Sequence, residues 1–350
     1  MPSPLSLEDI LARVRRLPLV RTAYDIWGCG LWIVTDDPLV DMHFRKRLDP
    51  FVTTGLPGPH SAEGVILTRV DHSRACGMET TPGWEHLDRE ILLTVPGKDC
   101  VAAISRCSRV AVLAALKHDV DLYWMVDYLA EIIPGHFLGE DSVTIHASAV
   151  DTGSGAVAFA GDPGVGKTTL AVYLAELGGC VFLADDKLLL KPDESGVVQA
   201  QPLYTDVHFP PKTLCLVPGL DERIVTSRRG RDIGGNLVAQ DPEEEQEFRM
   251  TTAELWPARK AVPIPIRALL FPTLAANRAV SRVVPLSADR ASQSLSSLVL
   301  PFFCDHWPSV LERDRNMLAK VLERCRCWRI YVGSDLAGLD ELVQDAVQEA

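Results

Sequence analysis

The segment AVAFAGDPGVGKTTLAVYLAELGG, residues 156–179, constrains the fold more than any other part of this chain. A short apolar run precedes a glycine-rich loop, and leucines at helical spacing follow the loop until Gly178 and Gly179 end the pattern. Because a short apolar run bounded in this way is typical of a buried parallel strand, the segment predicts a strand, a loop and a helix in direct succession. Such a unit indicates an α/β protein.

The loop matches the pattern G-x-x-x-x-G-K-[ST], which binds the phosphates of a nucleotide. Glycines allow successive backbone N–H groups to turn inward around a phosphate, and the positive end of the following helix dipole adds to the attraction. The lysine neutralises the outer phosphates, and the hydroxyl after it can ligate Mg²⁺, which makes Thr168 a predicted metal ligand. The residues predicted to bind the nucleotide are Gly161, Asp162, Pro163, Gly164, Val165, Gly166, Lys167, Thr168 and Thr169.

Two adjacent aspartates, Asp185 and Asp186, follow the apolar stretch VFLA. A helix of about 11 residues rises about 16 Å, and a strand of about five residues returns about the same distance. The chain therefore comes back to the edge of the sheet that carries the glycine loop, where parallel α/β sheets bind their ligands. One carboxylate can accept the proton of an attacking hydroxyl, and the other can hold Mg²⁺.

A predicted hairpin brings a histidine to the same place. Two β runs flank the turn-like DTGSG in the sequence SVTIHASAVDTGSGAVAFAG. If Val150 pairs with Ala156, then His146 pairs with Ala160 beside the glycine loop. A lone histidine is more often structural, but this position favours a catalytic role for His146.

This arrangement resembles the catalytic domain of HPr serine kinase/phosphorylase and its related kinases, whose core is shared with phosphoenolpyruvate carboxykinase. The resemblance rests on a histidine in a hairpin, on GDPGVGKTT and on FLADD, and it covers residues 140–215 best. It implies an α/β fold with a P-loop kinase core of that type and NTP-dependent transfer of phosphate to a hydroxyl. It further implies that His146 and Lys167 lie at the phosphates, that Asp185 is the base and that Asp186 lies on the Mg²⁺ side.

The chain departs from that family after the aspartate pair, where a glutamate–arginine–glycine signature is expected. The sequence there is PLYTDVHFPPKTL, in which Asp206 is the single acid and a candidate for replacing the metal-binding glutamate. The departure disfavours HPr as the acceptor. It favours a hydroxyl on a small metabolite or on a peptide or protein serine, and it leaves the choice between ATP and GTP open.

Cations stabilise the charge of a moving phosphoryl group, so the basic residues downstream are also candidates. A solvated charge run is the alternative interpretation of each group. The candidates are Arg228, Arg229 and Arg231 in one group, and Arg259 and Lys260 in another.

A length of 350 residues predicts two units, which we expect to be an N-terminal α+β domain over residues 1–140 and a catalytic domain over 141–350. In the first unit, LWIVTD and GVILTRV predict strands, and the stretch SRVAVLAALKHDVDLYWMVDYLAEII predicts a helix. In the second unit, the polar stretch 219–248 predicts a mobile lid or acceptor-binding loop, because an irregular loop of that length is usually functional or disordered. IRALLFPTL and WRIYVG predict strands near the C-terminus.

The bulk composition disfavours several classes of partner. A net charge of −12 disfavours nucleic acid, and no apolar run long enough to span a membrane is present. The N-terminus lacks the apolar core of a signal peptide, and the nine cysteines form no C-x-x-C pair, so we expect a cytoplasmic protein. Homo-oligomerisation stays open. Two other functions also stay open: an NTP hydrolase that acts as a switch, and a non-catalytic nucleotide- or peptide-binding module.

Overall fold

The chain has a mixed α/β fold. It divides into two compact units, one within residues 1–138 and one that begins at residue 139. The structure is a computed structural model that describes residues 7–55, 61–78, 85–87, 90–95, 99–105, 108–118, 125–126, 129, 141–203, 206–228, 248–256, 262–275, 277–300 and 308–348.

The first unit is built around one mixed sheet. Its elements are α1 (Leu7–Val14), β1 (Val20–Ile26), β2 (Cys29–Thr35), α2 (Pro38–Arg47), a 3₁₀ turn (Asp49–Phe51), β3 (Ala62–Leu67), α3 (Val70–Cys76), β4 (Glu85–Leu87), β5 (Glu90–Val95), β6 (Cys100–Ser105) and β7 (Val110–Ala115). The strand order is β1-β2-β3-β7-β6-β5-β4. β2, β3 and β7 run parallel, and the other neighbours run antiparallel.

One prediction in this unit is wrong. The stretch that begins at Ser108 was expected to be helical, but Val110–Ala115 forms strand β7 between β3 and β6. All six residues of β7 are buried. A continuous apolar run has no periodicity that separates a buried strand from a buried helix, so the helical pattern farther along the chain was extended too far. Most of residues 119–140 lie outside the described part of the chain.

The second unit holds the predicted nucleotide site. Its elements are β8 (Val143–Ile145), β9 (Ala147–Asp151), β10 (Ala156–Ala160), α4 (Lys167–Glu176), β11 (Val181–Ala184), β12 (Leu188–Pro192), β13 (Val198–Pro202), β14 (Asp206–Phe209), α5 (Lys212–Leu216), α6 (Leu220–Arg228), β15 (Phe248–Thr251), α7 (Thr252–Leu255), β16 (Ile264–Leu274), β17 (Arg282–Pro285), α8 (Ala288–Ser296), β18 (Val299–Leu300), α9 (Pro308–Arg324), β19 (Arg326–Val332) and α10 (Leu339–Gln348).

A ten-stranded sheet organises this unit, with a main order of β11-β9-β10-β16-β13-β12-β8-β18 and with β19 and β17 joined beyond β16. β10, β16 and β19 are parallel neighbours. β9 is antiparallel to both β10 and β11, so these two strands point the same way. The carboxyl ends of β10, β11, β16 and β19 therefore meet at one edge of the sheet. β14 and β15 form a separate two-stranded ribbon.

The predicted strand, loop and helix are confirmed as β10, residues 161–166 and α4. All of β10 is buried because its two faces belong to two different cores. Val157 and Phe159 pack with α4 on one face, whereas the alanines of β10 pack with α8 and α9 on the other. This explains why the strand is continuously apolar and does not alternate.

The hairpin of β9 and β10 is also confirmed, but its predicted register is wrong by one residue. Val150 pairs with Val157, and Ala160 pairs with Ala147. The turn closes between Asp151 and Ala156, so His146 lies one residue beyond the last pair of the hairpin.

The predicted loop at 219–248 begins as a helix, because α6 occupies Leu220–Arg228. Residues 229–247 lie outside the described part of the chain, so the lid stays a prediction. None of the helices described is long and apolar enough to cross a membrane.

We predict that Phe182→Ala lowers the free energy of unfolding by about 3–5 kcal/mol, as expected for an aromatic side chain removed from a core. The ring of Phe182 stacks on Trp256 at a centroid distance of 4.7 Å, and Trp256 in turn hydrogen-bonds Glu176 at the end of α4. Urea unfolding measures the loss. The neighbouring Val181 is partly exposed, so Val181→Ala is the matched control, and an equal loss in both variants would contradict this packing.

Candidate functional site

The glycine loop, residues 161–166, bends back towards α4 through two glycines in the left-handed region. Gly164 has φ 80° and Gly166 has φ 90°, which side chains with a Cβ rarely adopt. A Cβ added at Gly164 would meet nothing within 4 Å, so the space over this part of the loop is open. The amides of residues 164–169 donate no hydrogen bond to any residue that the structure describes. A row of amides with this geometry fits an anion.

Lys167 is buried at the start of α4. Its Nζ donates a hydrogen bond to the carbonyl oxygen of Asp162 at 3.0 Å, so the ammonium group reaches across the glycine loop. Burial lowers the pKa of Lys167, although the negative charges of Asp186, Asp185 and Asp162 oppose the shift. The side chain of Thr169 lies in the core instead, where its hydroxyl pairs with the hydroxyl of Thr213 at 2.9 Å.

Asp185 lies immediately after β11, and donors from three different segments fix its carboxylate. Oδ1 accepts hydrogen bonds from Thr168 Oγ1 at 2.8 Å and from Ser148 Oγ at 2.5 Å. Oδ2 accepts a hydrogen bond from the backbone amide of His208 at 2.9 Å. Burial and the nearby charge of Asp186 raise the pKa of Asp185 to about 7, while the three hydrogen bonds oppose the shift.

Asp186 faces in a different direction and keeps its side chain 40% exposed. Its Oδ1 lies 3.1 Å from His146 Nε2, and its Oδ2 lies 3.8 Å from His208 Nδ1. Burial alone would raise the pKa of Asp186, but its contacts with His146, His208 and Lys187 hold it below the usual range. Its φ of 56° shows that the extended strand has already ended.

The described structure therefore brings together most of the residues that the sequence singled out. The glycine loop, Lys167 and Thr168 lie beside Asp185 and Asp186, and His146 contacts Asp186. Asp206 is the first residue of β14, but its side chain is not among the described groups, so its role as a metal ligand stays a prediction. The side chain of Arg228 and the whole of Arg229, Arg231, Arg259 and Lys260 also lie outside the described part.

Sequence reasoning missed two residues of the site, Ser148 and His208. Both stand two positions after a residue that had been singled out, namely His146 and Asp206. Asp206 and His208 both belong to β14, and residues two apart in a strand point to the same face, so the strand period was a signal for His208. His146 lies outside a strand, between β8 and β9, so the same signal does not apply to Ser148.

The oxygen ligands at this site fit Mg²⁺. The Thr168 hydroxyl and the Asp185 carboxylate are in contact, and Mg²⁺ in nucleotide sites usually takes one or two protein oxygens together with phosphates and waters. Among the residues that the structure describes, no group of three His, Cys, Asp or Glu side chains forms a metal-binding cluster. Thr168 and Asp185 present oxygen atoms of the kind that Mg²⁺ prefers.

Comparisons with models of protein families and with curated proteins found no match for this chain.

We predict that Asp185→Asn removes a pH-dependent loss of stability in the metal-free protein. The pKa of Asp185 is raised from 3.8 to about 7 in the folded protein, so protonation of this carboxyl stabilises the fold, and the full stabilisation is present below pH 3.8. The stabilisation is lost as the pH rises through the folded-state pKa of about 7. Urea unfolding at several pH values, in EDTA and without nucleotide, measures the slope for both proteins. Asp186→Asn is the matched variant, and because the pKa of Asp186 is lowered, it should change the slope in the acidic range instead. Equal slopes for wild type and Asp185→Asn between pH 4 and 7 would contradict a raised pKa of Asp185.

Proposed function

We propose that the chain is an NTP- and Mg²⁺-dependent phosphotransferase that moves the γ-phosphate of ATP or GTP to a hydroxyl group. The single observation that carries the proposal is the 2.8 Å hydrogen bond between the Thr168 hydroxyl and the Asp185 carboxylate. It joins a loop that fits phosphates to an acid at the end of β11, which runs parallel to β10 on the far side of β9. The acceptor is a hydroxyl of a small metabolite or of a peptide or protein serine. Within this proposal, the second unit has the P-loop kinase core of the HPr kinase/phosphoenolpyruvate carboxykinase type, and the protein acts in the cytoplasm.

The phosphates of the nucleotide would lie over the glycine loop. The amides of residues 164–169 would supply donors, the N-terminus of α4 would add its dipole, and the amino group of Lys167 would be the cation beside the phosphates. Transfer of a phosphoryl group asks little covalent chemistry of a protein, so positioning and charge neutralisation are the main contributions expected from these groups.

Thr168 and Asp185 would hold the metal, with Asp206 as a further candidate. Bound Mg²⁺ supplies neutralisation of the charge that develops on the transferred group. The resemblance to HPr serine kinase/phosphorylase implies instead that Asp185 is the base. The contacts favour the other assignment, because Asp185 is enclosed by Thr168, Ser148 and the amide of His208.

Asp186 would accept the proton of the acceptor hydroxyl. Its side chain is the more exposed of the two aspartates, and a base must be within hydrogen-bond reach of the hydroxyl that it deprotonates. The imidazoles of His146 and His208 lie on its two oxygens and hold the carboxylate in place. In this proposal His146 is a positioning residue next to the base.

We predict that Lys167→Ala reduces phosphoryl transfer by about 10²-fold or more, as expected when a donor to the developing charge is removed. Release of phosphate from ATP and GTP is measured with and without a panel of hydroxylated metabolites and serine peptides. Lys320→Ala is the control, because Lys320 is an exposed lysine on α9. Wild-type transfer in Lys167→Ala would contradict the proposal. Rapid hydrolysis by the wild type without any acceptor would favour a switch hydrolase instead.

We predict different defects when the two aspartates are replaced in turn. Asp185→Asn should need much more Mg²⁺ to bind NTP, because it loses the carboxylate beside Thr168. Asp186→Asn should bind Mg²⁺–NTP normally and transfer phosphate about 10²–10⁴-fold more slowly, which is the usual contribution of a general base. Titration of Mg²⁺ against nucleotide affinity, combined with single-turnover transfer, separates the two effects. The opposite pattern would restore Asp185 as the base.

A further inference from the structure

We propose that the nucleoside part of the NTP lies over the carboxyl ends of β16 and β19, against the exposed side chain of Leu274. This inference rests on the proposed function, since it requires a nucleotide whose phosphates occupy the glycine loop. It adds the position of the base and names a residue that contacts it.

The strand order gives the glycine loop different neighbours on its two sides. The loop follows β10, and on one side β9 and β11 lead to Asp185 and Asp186. On the other side β16 is the parallel neighbour of β10, and β19 is the parallel neighbour of β16. Because parallel strands end at the same edge, the ends of β16 and β19 continue the ligand-binding edge of the sheet away from the acids.

A nucleoside triphosphate is a chain with the base at one end and the γ-phosphate at the other. In the proposed reaction the γ-phosphate must reach Asp186 and the metal beside Asp185, on the β11 side of the loop. With the middle phosphates on the glycine loop, the ribose and the base extend to the opposite side. That side is formed by the ends of β16 and β19.

Leu274 is the last residue of β16 and leaves its apolar side chain 60% exposed. A Cβ built on Gly166 would lie 3.8 Å from Leu274 Cδ2, so the leucine adjoins the last glycine of the loop. Sites for small ligands are mostly apolar and carry a few polar groups. A single exposed leucine is ordinary on a protein surface. Its place beside the phosphate loop, on the side away from the acids, is what points to a nucleobase.

Backbone hydrogen bonds connect the surface around Leu274 to the neighbouring strand β19. Three backbone hydrogen bonds tie the segment after β16 to the end of β19: Ala275 N to Val332 O at 2.9 Å, Ser334 N to Arg278 O at 3.0 Å, and Asp335 N to Ala279 O at 2.9 Å. The two segments approach so closely that a Cβ on Gly333 would lie 2.5 Å from the carbonyl oxygen of Ala279. The side chains of Asn277 and Arg278 are exposed on the same segment and offer hydrogen-bond donors to a base or ribose.

The experiment compares ligands with and without a nucleoside. Binding of Mg²⁺–ATP, Mg²⁺–GTP and Mg²⁺–tripolyphosphate is measured by calorimetry for wild type, Leu274→Ala and Leu274→Met. Leu274→Ala should weaken NTP binding about fivefold, as expected for the loss of a partly buried apolar contact, and should leave tripolyphosphate binding unchanged. Leu274→Met should stay close to wild type, because methionine keeps an apolar side chain of similar size. Leu177→Ala is the control, since Leu177 is an exposed leucine at the other end of α4.

Two results would overturn the inference. One is that Leu274→Ala binds NTP with wild-type affinity while Lys167→Ala loses it, which would leave the proposed function standing and refute only the position of the base. The other is that Leu274→Ala weakens NTP and tripolyphosphate equally, which would mean that Leu274 acts through the loop. If neither NTP nor tripolyphosphate binds the wild type, the proposed function fails together with this inference.

Discussion

The buried carboxylate of Asp185 is the point on which the geometry of this site depends. Its two oxygens accept hydrogen bonds from the hydroxyl of Thr168, the hydroxyl of Ser148 and the amide of His208. These donors belong to α4, β9 and β14, which are distant in sequence. One side chain therefore fixes the start of the helix behind the glycine loop, the hairpin strand next to it and the ribbon formed with β15. A buried charge is tolerated only with such compensation, because leaving its oxygens unpaired would cost several kcal/mol.

Burial at this site disfavours the charged form of an acidic and of a basic side chain alike. It raises the pKa of Asp185 and lowers that of Lys167, and each shift is an unfavourable contribution of the charged form to folding. A cation beside Asp185 and phosphates beside Lys167 would relieve both at once. An Mg²⁺–NTP complex carries these charges in one molecule, and in the proposed function its metal would lie at the contact between Thr168 and Asp185. With such a ligand, stability and ligand affinity would be linked at this site, because charged groups that are unfavourable without the ligand would favour its binding.

The sequence predicted the local parts of the site well and the long-range parts less well. β10, α4 and the return of the chain to Asp185 follow from short-range patterns, and the structure has all three. The register of the hairpin depends on how the turn closes, and it differs from the prediction by one residue at Ala160. The strand period relates His208 to Asp206 but does not bring it to Asp185, because that contact joins residues 23 positions apart and belongs to a ribbon whose paired residues lie about 40 positions apart.

The different positions of Asp185 and Asp186 arise from the backbone and not from their chemistry. Strand alternation would place neighbouring side chains on opposite faces of the sheet, but β11 ends at Ala184 before either aspartate. Asp185 turns inward to its three donors, and the left-handed φ of Asp186 carries the next side chain out towards His146 and solvent. Aspartate is among the residues that adopt this region most readily, and such conformations concentrate at functional sites. Two identical residues thus acquire separate environments: one is enclosed beside the hydroxyl of Thr168, and the other is accessible beside a histidine. The proposed transfer to an external hydroxyl would require such a division.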